Sequence, residues 1–111
     1  MAYEVHLLET AEQFLNELEV KLRAKTFRSL SLLEHFGPRL PMPHAKQLVG
    51  HELYELRVRQ GSNIVGLFYF FEREAIIVVT SGYRKKSDRT DRREIERALR
   101  LKERHLNGGT V

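Results

Sequence analysis

Residues 53–86 read LYELRVRQGSNIVGLFYFFEREAIIVVTSGYRKK, and this stretch decides the fold. It contains three runs rich in β-branched and aromatic residues, which favour β-strands. Gly61–Asn63 is a hairpin signal between the first two runs, and Arg73–Glu74 makes a second tight connection. The pattern predicts an antiparallel sheet that ends in a basic tip, Tyr83–Lys86. Its predicted strands span residues 53–60, 63–72 and 75–83.

The three predicted strands differ in polarity. In the first strand, Glu55, Arg57 and Arg59 alternate with apolar residues, so one of its faces is polar. The second strand is apolar on both faces and is therefore expected to be central, and the run at residues 76–79 is equally apolar. The apolar residues on both faces of such a sheet need to be buried, either by other elements of this chain on both faces or by such elements on one face and a binding partner on the other.

A strand and two helices are predicted before this sheet. Tyr3–Leu8 alternates loosely and predicts the strand. Thr10 and Gln13 form a capping-box pattern that opens the first helix. Its apolar stripe is Ala11, Phe14, Leu15, Leu18 and Leu22. A short break near Lys25–Thr26 precedes the second helix, which Gly37–Pro38 ends, and helices this close usually form an antiparallel hairpin.

The remaining segments are a loop and a last helix. Residues 38–51 contain all three prolines and are expected to form an extended loop rather than an element. Thr90 or Asp91 is predicted to cap the last helix, with a capping box if Asp91 pairs with Glu94. Asn107–Val111 is predicted to supply a C-terminal cap followed by a frayed tail.

Length and composition limit the number of domains, the fold class and the expected location of the protein. At 111 residues the chain fits one domain, residues 1–111. The predicted fold is α+β, with the order β-α-α-β-β-β-α and a small, antiparallel-rich sheet packed on a helical hairpin. The lack of cysteine excludes disulfides and thiolate chemistry and suits a reducing cytoplasm, which is the expected location. We expect no signal peptide and no membrane span, which would need about 18 apolar residues.

The positive charge is concentrated at one end of the chain. Residues 81–111 carry 10 lysines and arginines against 5 acidic residues, whereas residues 1–40 carry 5 against 6. A localised basic surface suggests a polyanionic partner, RNA or DNA before all others. The alternative is a solvated helix face beside a basic loop.

Cationic and aromatic side chains provide the candidate chemistry. The five histidines show no metal-ligand spacing, and no metal or other cofactor is predicted. His44 and His51 are either general bases or ordinary surface histidines. The residues that suit single-stranded RNA are Lys46, Arg57, Arg59, Tyr83, Arg84, Lys85, Lys86 and Arg89. Cations beside a scissile phosphate would stabilise its transition state, whereas the alternative role is a solubilising charge at a strand end.

Five motifs together resemble the RelE/ParE toxin superfamily, and in particular its HigB-like, phage-derived branch. They are Leu40–Leu48 (LPMPHAKQL), Leu53–Arg57 (LYELR), Leu67–Phe71 (LFYFF), Gly82–Lys86 (GYRKK) and Thr90–Ile95 (TDRREI). Two positions depart from the pattern. Gly66 stands where members often have an arginine before the aromatic strand, and Ser81 stands where many have a histidine.

This resemblance implies a RelE-like fold and a type II toxin that cleaves mRNA on the ribosome without a metal ion and so inhibits translation. Its partner would be a helix-turn-helix antitoxin. We predict catalytic roles for Lys46, Arg57, Tyr83, Lys85 and Lys86, and RNA contacts for Arg59, Arg84 and Arg89. Two alternatives stay open: a RelE-like module that binds RNA or antitoxin without cleavage, and a ParE-like gyrase inhibitor.

Overall fold

A computed structural model describes residues 2–108 of the chain. Its strands and helices are β1 (Glu4–Leu7), α1 (Glu9–Asn16), α2 (Val20–Phe36), β2 (Ala45–Gln47), β3 (Tyr54–Gln60), β4 (Asn63–Arg73), β5 (Ile76–Arg84) and α3 (Arg92–Leu106). The predicted α+β order is confirmed, with one additional short strand, β2. The sheet has the order β1-β5-β4-β3-β2, in which β1 runs parallel to β5 and the other pairs are antiparallel.

Strand β4 lies in the middle of the sheet, as its apolar sequence predicts. The hairpin between β3 and β4 turns where it was predicted, and Gln60 pairs with Asn63 across the turn. Helices α1 and α2 cover one face of the sheet, where leucines of both helices join Leu56 and Leu67 in the main core. Helix α3 covers the opposite face, where Ala98 packs near Phe68. The sheet is therefore covered on both faces, the first of the two expected arrangements.

The predicted boundary between the first two helices was wrong. The break lies at residues 17–19, and α2 continues through Lys25–Thr26. Thr26 is buried inside α2, and its hydroxyl donates to the Leu22 carbonyl at 2.8 Å, so it is held within the helix. Thr10 is not a cap, because Leu8 holds the N-cap position and the Thr10 hydroxyl donates to the Thr80 carbonyl of β5.

The proline-containing segment is more ordered than predicted. It includes a 3₁₀ turn at Gly37–Arg39 and the short strand β2, which pairs with the first half of β3. Of the two predicted caps of α3, Thr90 and Asp91, the cap is Asp91, whose carboxylate accepts from the Arg93 amide at 2.8 Å. Asn107 is the C-cap of α3, while the predicted frayed tail beyond residue 108 lies outside the described residues.

Among the helices in residues 2–108, none combines the length and apolar character needed to cross a membrane.

Candidate functional site

A buried carboxylate, Glu55, lies at the centre of the α3 side of the sheet. The alternation of side chains along β3 turns Glu55 toward α3, and its side chain has no exposed surface. Its Oε2 accepts from Lys85 Nζ at 2.9 Å and from the Tyr83 hydroxyl at 3.0 Å. Its Oε1 accepts from the Thr90 hydroxyl at 3.0 Å. Since an unpaired buried charge is strongly unfavourable, these donors are what allow Glu55 to be buried.

Lys85 and Tyr83 connect this carboxylate to the loop between β5 and α3. The side chain of Lys85 is fully buried, and its Nζ also donates to the Tyr83 hydroxyl at 3.0 Å and to the Arg89 carbonyl at 3.3 Å. The same hydroxyl accepts from the Asp91 amide at 3.2 Å. Residues 85–91 are thus fastened to the sheet at several points, and Tyr83 and Lys85 face the protein interior.

The environment of Tyr83 determines what its hydroxyl can do. Burial raises the pKa of Tyr83 well above its ordinary value, and the charge and hydrogen bond of Glu55 also raise it, while the Asp91 amide opposes the shift. Tyr83 is therefore protonated at neutral pH and does not act as a base. Its ring stacks on Phe68 with the centroids 5.5 Å apart, so this ring is not free to stack on a base.

Gly66 is explained by the same network. A Cβ atom at Gly66 would lie 2.7 Å from Glu55 Oε2 and 2.9 Å from Tyr83 Cε1. The buried carboxylate and the tyrosine ring thus occupy the space that any larger residue at this position would need. The pairing of β4 with β5 shifts register at two places, neither of them at Gly66: between Phe68 and Tyr69, where Thr80 is unpaired, and between Phe71 and Arg73.

Replacing Gly66 with alanine is expected to lower the free energy of unfolding by about 1–3 kcal/mol, because the added methyl group would overpack against the buried side chains of Glu55 and Tyr83. Urea denaturation would measure the change. Ser62→Ala, in the exposed turn beside β4, is the control and should stay within about 0.5 kcal/mol of the original chain. An unaltered midpoint for Gly66→Ala would contradict this explanation.

Arg57 and Arg59 form a second site around a carboxylate of the loop. Nη2 of Arg57 and Nη2 of Arg59 each donate to Asp88 Oδ1 at 3.1 Å, and Arg57 Nη2 also donates to the Asp88 backbone carbonyl at 3.1 Å. The Asp88 side chain is 73% exposed. Two guanidinium groups directed at one solvent-accessible oxygen form a geometry suited to an oxyanion such as phosphate.

Both arginines open onto a cleft of about 800 Å³ between α2 and β3. Its other lining residues include Lys25, Arg28, Leu32, His44, Val58 and Ile64. The cleft follows the outer edge of β3, because β2 pairs only with Tyr54–Leu56 and the His44 carbonyl accepts from the Arg57 amide at 2.8 Å. Within residues 2–108, no strand pairs with the outer edge of β3 beyond that bond.

The other predicted site residues lie around these two features. Lys46 is partly buried on β2 directly opposite Glu55, so it lies on the α3 side of the sheet. Lys86 and Arg89 are exposed on the loop after β5. Arg84 pairs with Glu19, at the start of α2, and its hydrogen bond holds the pKa of that carboxyl below its usual range. Of the eight predicted residues, only Arg57 and Arg59 line the cleft.

The structure adds residues to the site to which the sequence assigned no functional role. Glu55, Asp88 and Thr90 organise the loop, while Lys25 and Arg28 form the α2 side of the cleft. The strand alternation assigned Glu55 to the same face as its arginine neighbours, but it gave no sign that the loop would cover that face. Within residues 2–108, no group of three histidine, aspartate or glutamate side chains is arranged to hold a metal ion.

The sequence of the chain matches a known protein family. The profile described as phage-derived protein Gp49-like matches residues 13–103. The chain belongs to the phage-derived Gp49-like family. A search of curated protein sequences gives no significant match.

Several solved structures are similar to this Gp49-like protein, each at low sequence identity. The free Escherichia coli toxin RelE, in a form with two arginines replaced by alanine, has 19% identity and a TM-score of 0.69 and covers 90% of this chain and 97% of its own. RelBE2, a toxin–antitoxin complex from Mycobacterium tuberculosis, contains a chain with 20% identity and a TM-score of 0.55. The match covers 77% of this chain and 100% of that one. The archaeal RelE–RelB complex from Pyrococcus horikoshii contains a chain with 18% identity and a TM-score of 0.56, and the match covers 78% of this chain and 98% of that one. The predicted RelE-like fold and phage-derived branch are confirmed.

Proposed function

We propose that this Gp49-like protein is the toxin of a type II toxin–antitoxin pair and acts as a metal-independent endoribonuclease that cuts mRNA on the ribosome and inhibits translation. The observation that carries the proposal is the pair of guanidinium groups of Arg57 and Arg59, directed at one oxyanion position at the mouth of a basic cleft. The RelE-like fold and the Gp49-like family support the same assignment.

In this proposal, Arg57 and Arg59 hold the scissile phosphate in the position that the Asp88 carboxylate occupies. The ribose 2′-oxygen forms a bond to phosphorus, and the bond to the 5′-oxygen breaks, which leaves a cyclic phosphate and a free 5′-hydroxyl. The guanidinium groups stabilise the added negative charge of the transition state. His44 lines the cleft beside Arg57 and is assigned to accept the 2′-hydroxyl proton and return it to the 5′-oxygen.

The remaining predicted residues take supporting roles. Tyr83 and Lys85 act as positioning residues, since they fasten the loop that carries Asp88 through Glu55. Lys46, on the α3 side of the sheet, and Lys86, on the loop after β5, are assigned to contact RNA phosphates, where their charge would add to association with a polyanion. We place the protein in the cytoplasm, where mRNA and ribosomes are found.

A protein partner is part of the same proposal. RelE chains from bacteria and an archaeon have been solved in complexes with RelB antitoxins. A helix-turn-helix antitoxin is therefore proposed to neutralise this chain. Co-expression with the product of the neighbouring reading frame should restore growth if that product is the antitoxin.

A second candidate function is a binding module without cleavage activity. It is favoured by the burial of Tyr83 and Lys85, two residues of the predicted catalytic set. The two functions differ in one observable, because a binding module would retain RNA or antitoxin without producing new RNA ends.

The test is controlled expression of the chain in cells that lack an antitoxin. We expect growth arrest within one generation and new mRNA ends, mapped by primer extension, that appear only in translated messages. Arrest accompanied by DNA damage and intact mRNA would instead indicate a gyrase inhibitor. Normal growth and intact mRNA from a well-expressed, folded chain would contradict the proposal and favour the binding module.

A further inference from the structure

A row of cations on α2 reaches the cleft, and the reaction proposed above assigns none of them an individual role. Lys21, Lys25 and Arg28 follow one another at i, i+4 and i+7, so they lie on one face of the helix and span about 10 Å along its axis. Lys25 and Arg28 line the large cleft, and all three residues line a second cavity of about 340 Å³ that adjoins the β3–β4 turn at Gln60–Gly61. The two cavities share Lys25 and Arg28 and therefore form one basic surface.

These three cations differ from the arginines around them in their pairing. Arg57, Arg59 and Arg84 each form a salt bridge with a carboxylate. Within the described part of the chain, Lys21, Lys25 and Arg28 form none. Like charges at this helical spacing repel one another and destabilise the helix slightly. A bound polyanion would remove that repulsion and supply the missing counter-charges.

We infer that Lys21, Lys25 and Arg28 continue the Arg57–Arg59 site into a track for the phosphates of single-stranded RNA next to the cleavage position. This inference rests on the proposed function, since it identifies the substrate contacts outside the reacting phosphate. One end of the track already holds an anionic group, the Asp88 carboxylate between Arg57 and Arg59.

The walls of the cleft favour RNA over a purely acidic peptide. Leu32, Val58 and Ile64 line the cleft between the cations, and an unstacked base needs an apolar surface of this kind beside its phosphate. A short acidic peptide would satisfy the cations without using this apolar surface. Single-stranded RNA uses both features of the cleft.

The experiment measures the affinity of the full chain for a short, dye-labelled single-stranded RNA with 2′-O-methyl groups, which block cleavage. The double variant Lys25→Glu with Arg28→Glu should raise the Kd at least about tenfold. Because each phosphate contact contributes about 0.7 to the slope of log Kd against log salt concentration, the slope should fall by about 1.4. Asp88→Asn should lower the Kd severalfold, since it removes the charge that competes with the phosphate.

The matched control is Arg100→Glu with Arg104→Glu on the exposed side of α3, which changes the net charge equally. It should leave the slope unaltered and the Kd within about twofold of the original. Circular dichroism and a thermal unfolding scan would confirm that each variant is folded. An equal effect of both double variants, or an unaltered slope in the α2 variant, would overturn the track.

Two further outcomes separate the track from the proposed function. If polyglutamate competes for the α2 surface while RNA affinity is unaffected by the α2 substitutions, the surface serves an acidic protein segment and the RNA track is wrong. If the original chain cuts mRNA and the α2 double variant both binds and cuts as well, the track fails and the nuclease assignment stands. If RNA binds with the expected salt slope and mRNA stays intact in cells, the track stands and the nuclease assignment fails.

Discussion

Replacing Glu55 with alanine is expected to lower the free energy of unfolding by about 3–5 kcal/mol, the usual cost of leaving one partner of a buried ion pair uncompensated. Lys85 Nζ would lose the carboxylate 2.9 Å away while it remained in a fully buried position. The hydroxyls of Tyr83 and Thr90 would lose their acceptor as well. Since small proteins are stable by about 5–15 kcal/mol, the variant would lose a large part of its stability. Urea denaturation followed by circular dichroism measures the loss.

A double-mutant cycle is the control for this prediction. Glu55→Met leaves the buried Lys85 charge without a carboxylate, and Lys85→Met leaves Glu55 with only the longer contact to Arg57 Nε at 3.8 Å, so each should be strongly destabilising. The double variant contains neither charge and should lose less stability than the sum of the two single variants. Additive losses would show that Glu55 and Lys85 are not coupled, which would contradict the buried ion pair as the cause.

Replacing Arg57 with alanine is expected to reduce the rate of the mRNA cleavage that we propose about 10²–10³-fold, the range for loss of one donor that stabilises transition-state charge. The Arg57 side chain is 16% exposed and lines the cleft, and its guanidinium group donates to the oxygen that we assign as the phosphate position. Arg57→Lys keeps the charge but loses the planar fork of donors, so it should recover only part of the rate. A single-turnover assay on a translated message measures the chemical step directly.

Two measurements make the Arg57 result interpretable. The urea midpoint should fall less for Arg57→Ala than for Glu55→Ala, because Glu55 loses its 3.8 Å contact with Arg57 but keeps its 2.9 Å bond to Lys85. Arg100→Ala, on the exposed side of α3, is the matched control and should cleave normally. Full cleavage by a folded Arg57→Ala variant would exclude Arg57 from the catalytic site.

Much of the fold could be predicted from local patterns. The apolar run of β4 identified the central strand, and Gly61 located the turn that sets the register of β3 against β4. The break between α1 and α2 could not be found this way. Leu18 and Leu22 are both buried and keep helical spacing across the break, and no glycine or proline marks it. Periodicity alone therefore merged the end of one helix with the start of the next.

The candidate site was less predictable, because its residues meet only through long-range contacts. Lys85 stands in a run of cations that suggested an exposed tip, yet it pairs with a carboxylate 30 residues earlier in the chain. The basic surface formed by the cations of α2 could not be predicted from the sequence for a different reason. Residues 1–40 carry nearly equal numbers of acidic and basic side chains, and a sum over the sequence does not show that Lys21, Lys25 and Arg28 share one helix face.

The hydrogen bonds that hold the loop after β5 to the sheet also determine which end of α3 unfolds locally. Helix α3 buries little of its own surface, with Ala98 as its one buried residue in the described range. Its first turn, however, is held by the Asp91 amide on Tyr83 and by the neighbouring Thr90 hydroxyl on Glu55. The start of α3 and the centre of β3 therefore belong to one cooperative unit. We therefore expect amide protons in the last turn of α3 to exchange through local fraying, and the Asp91 amide, which donates to the Tyr83 hydroxyl, to exchange more slowly.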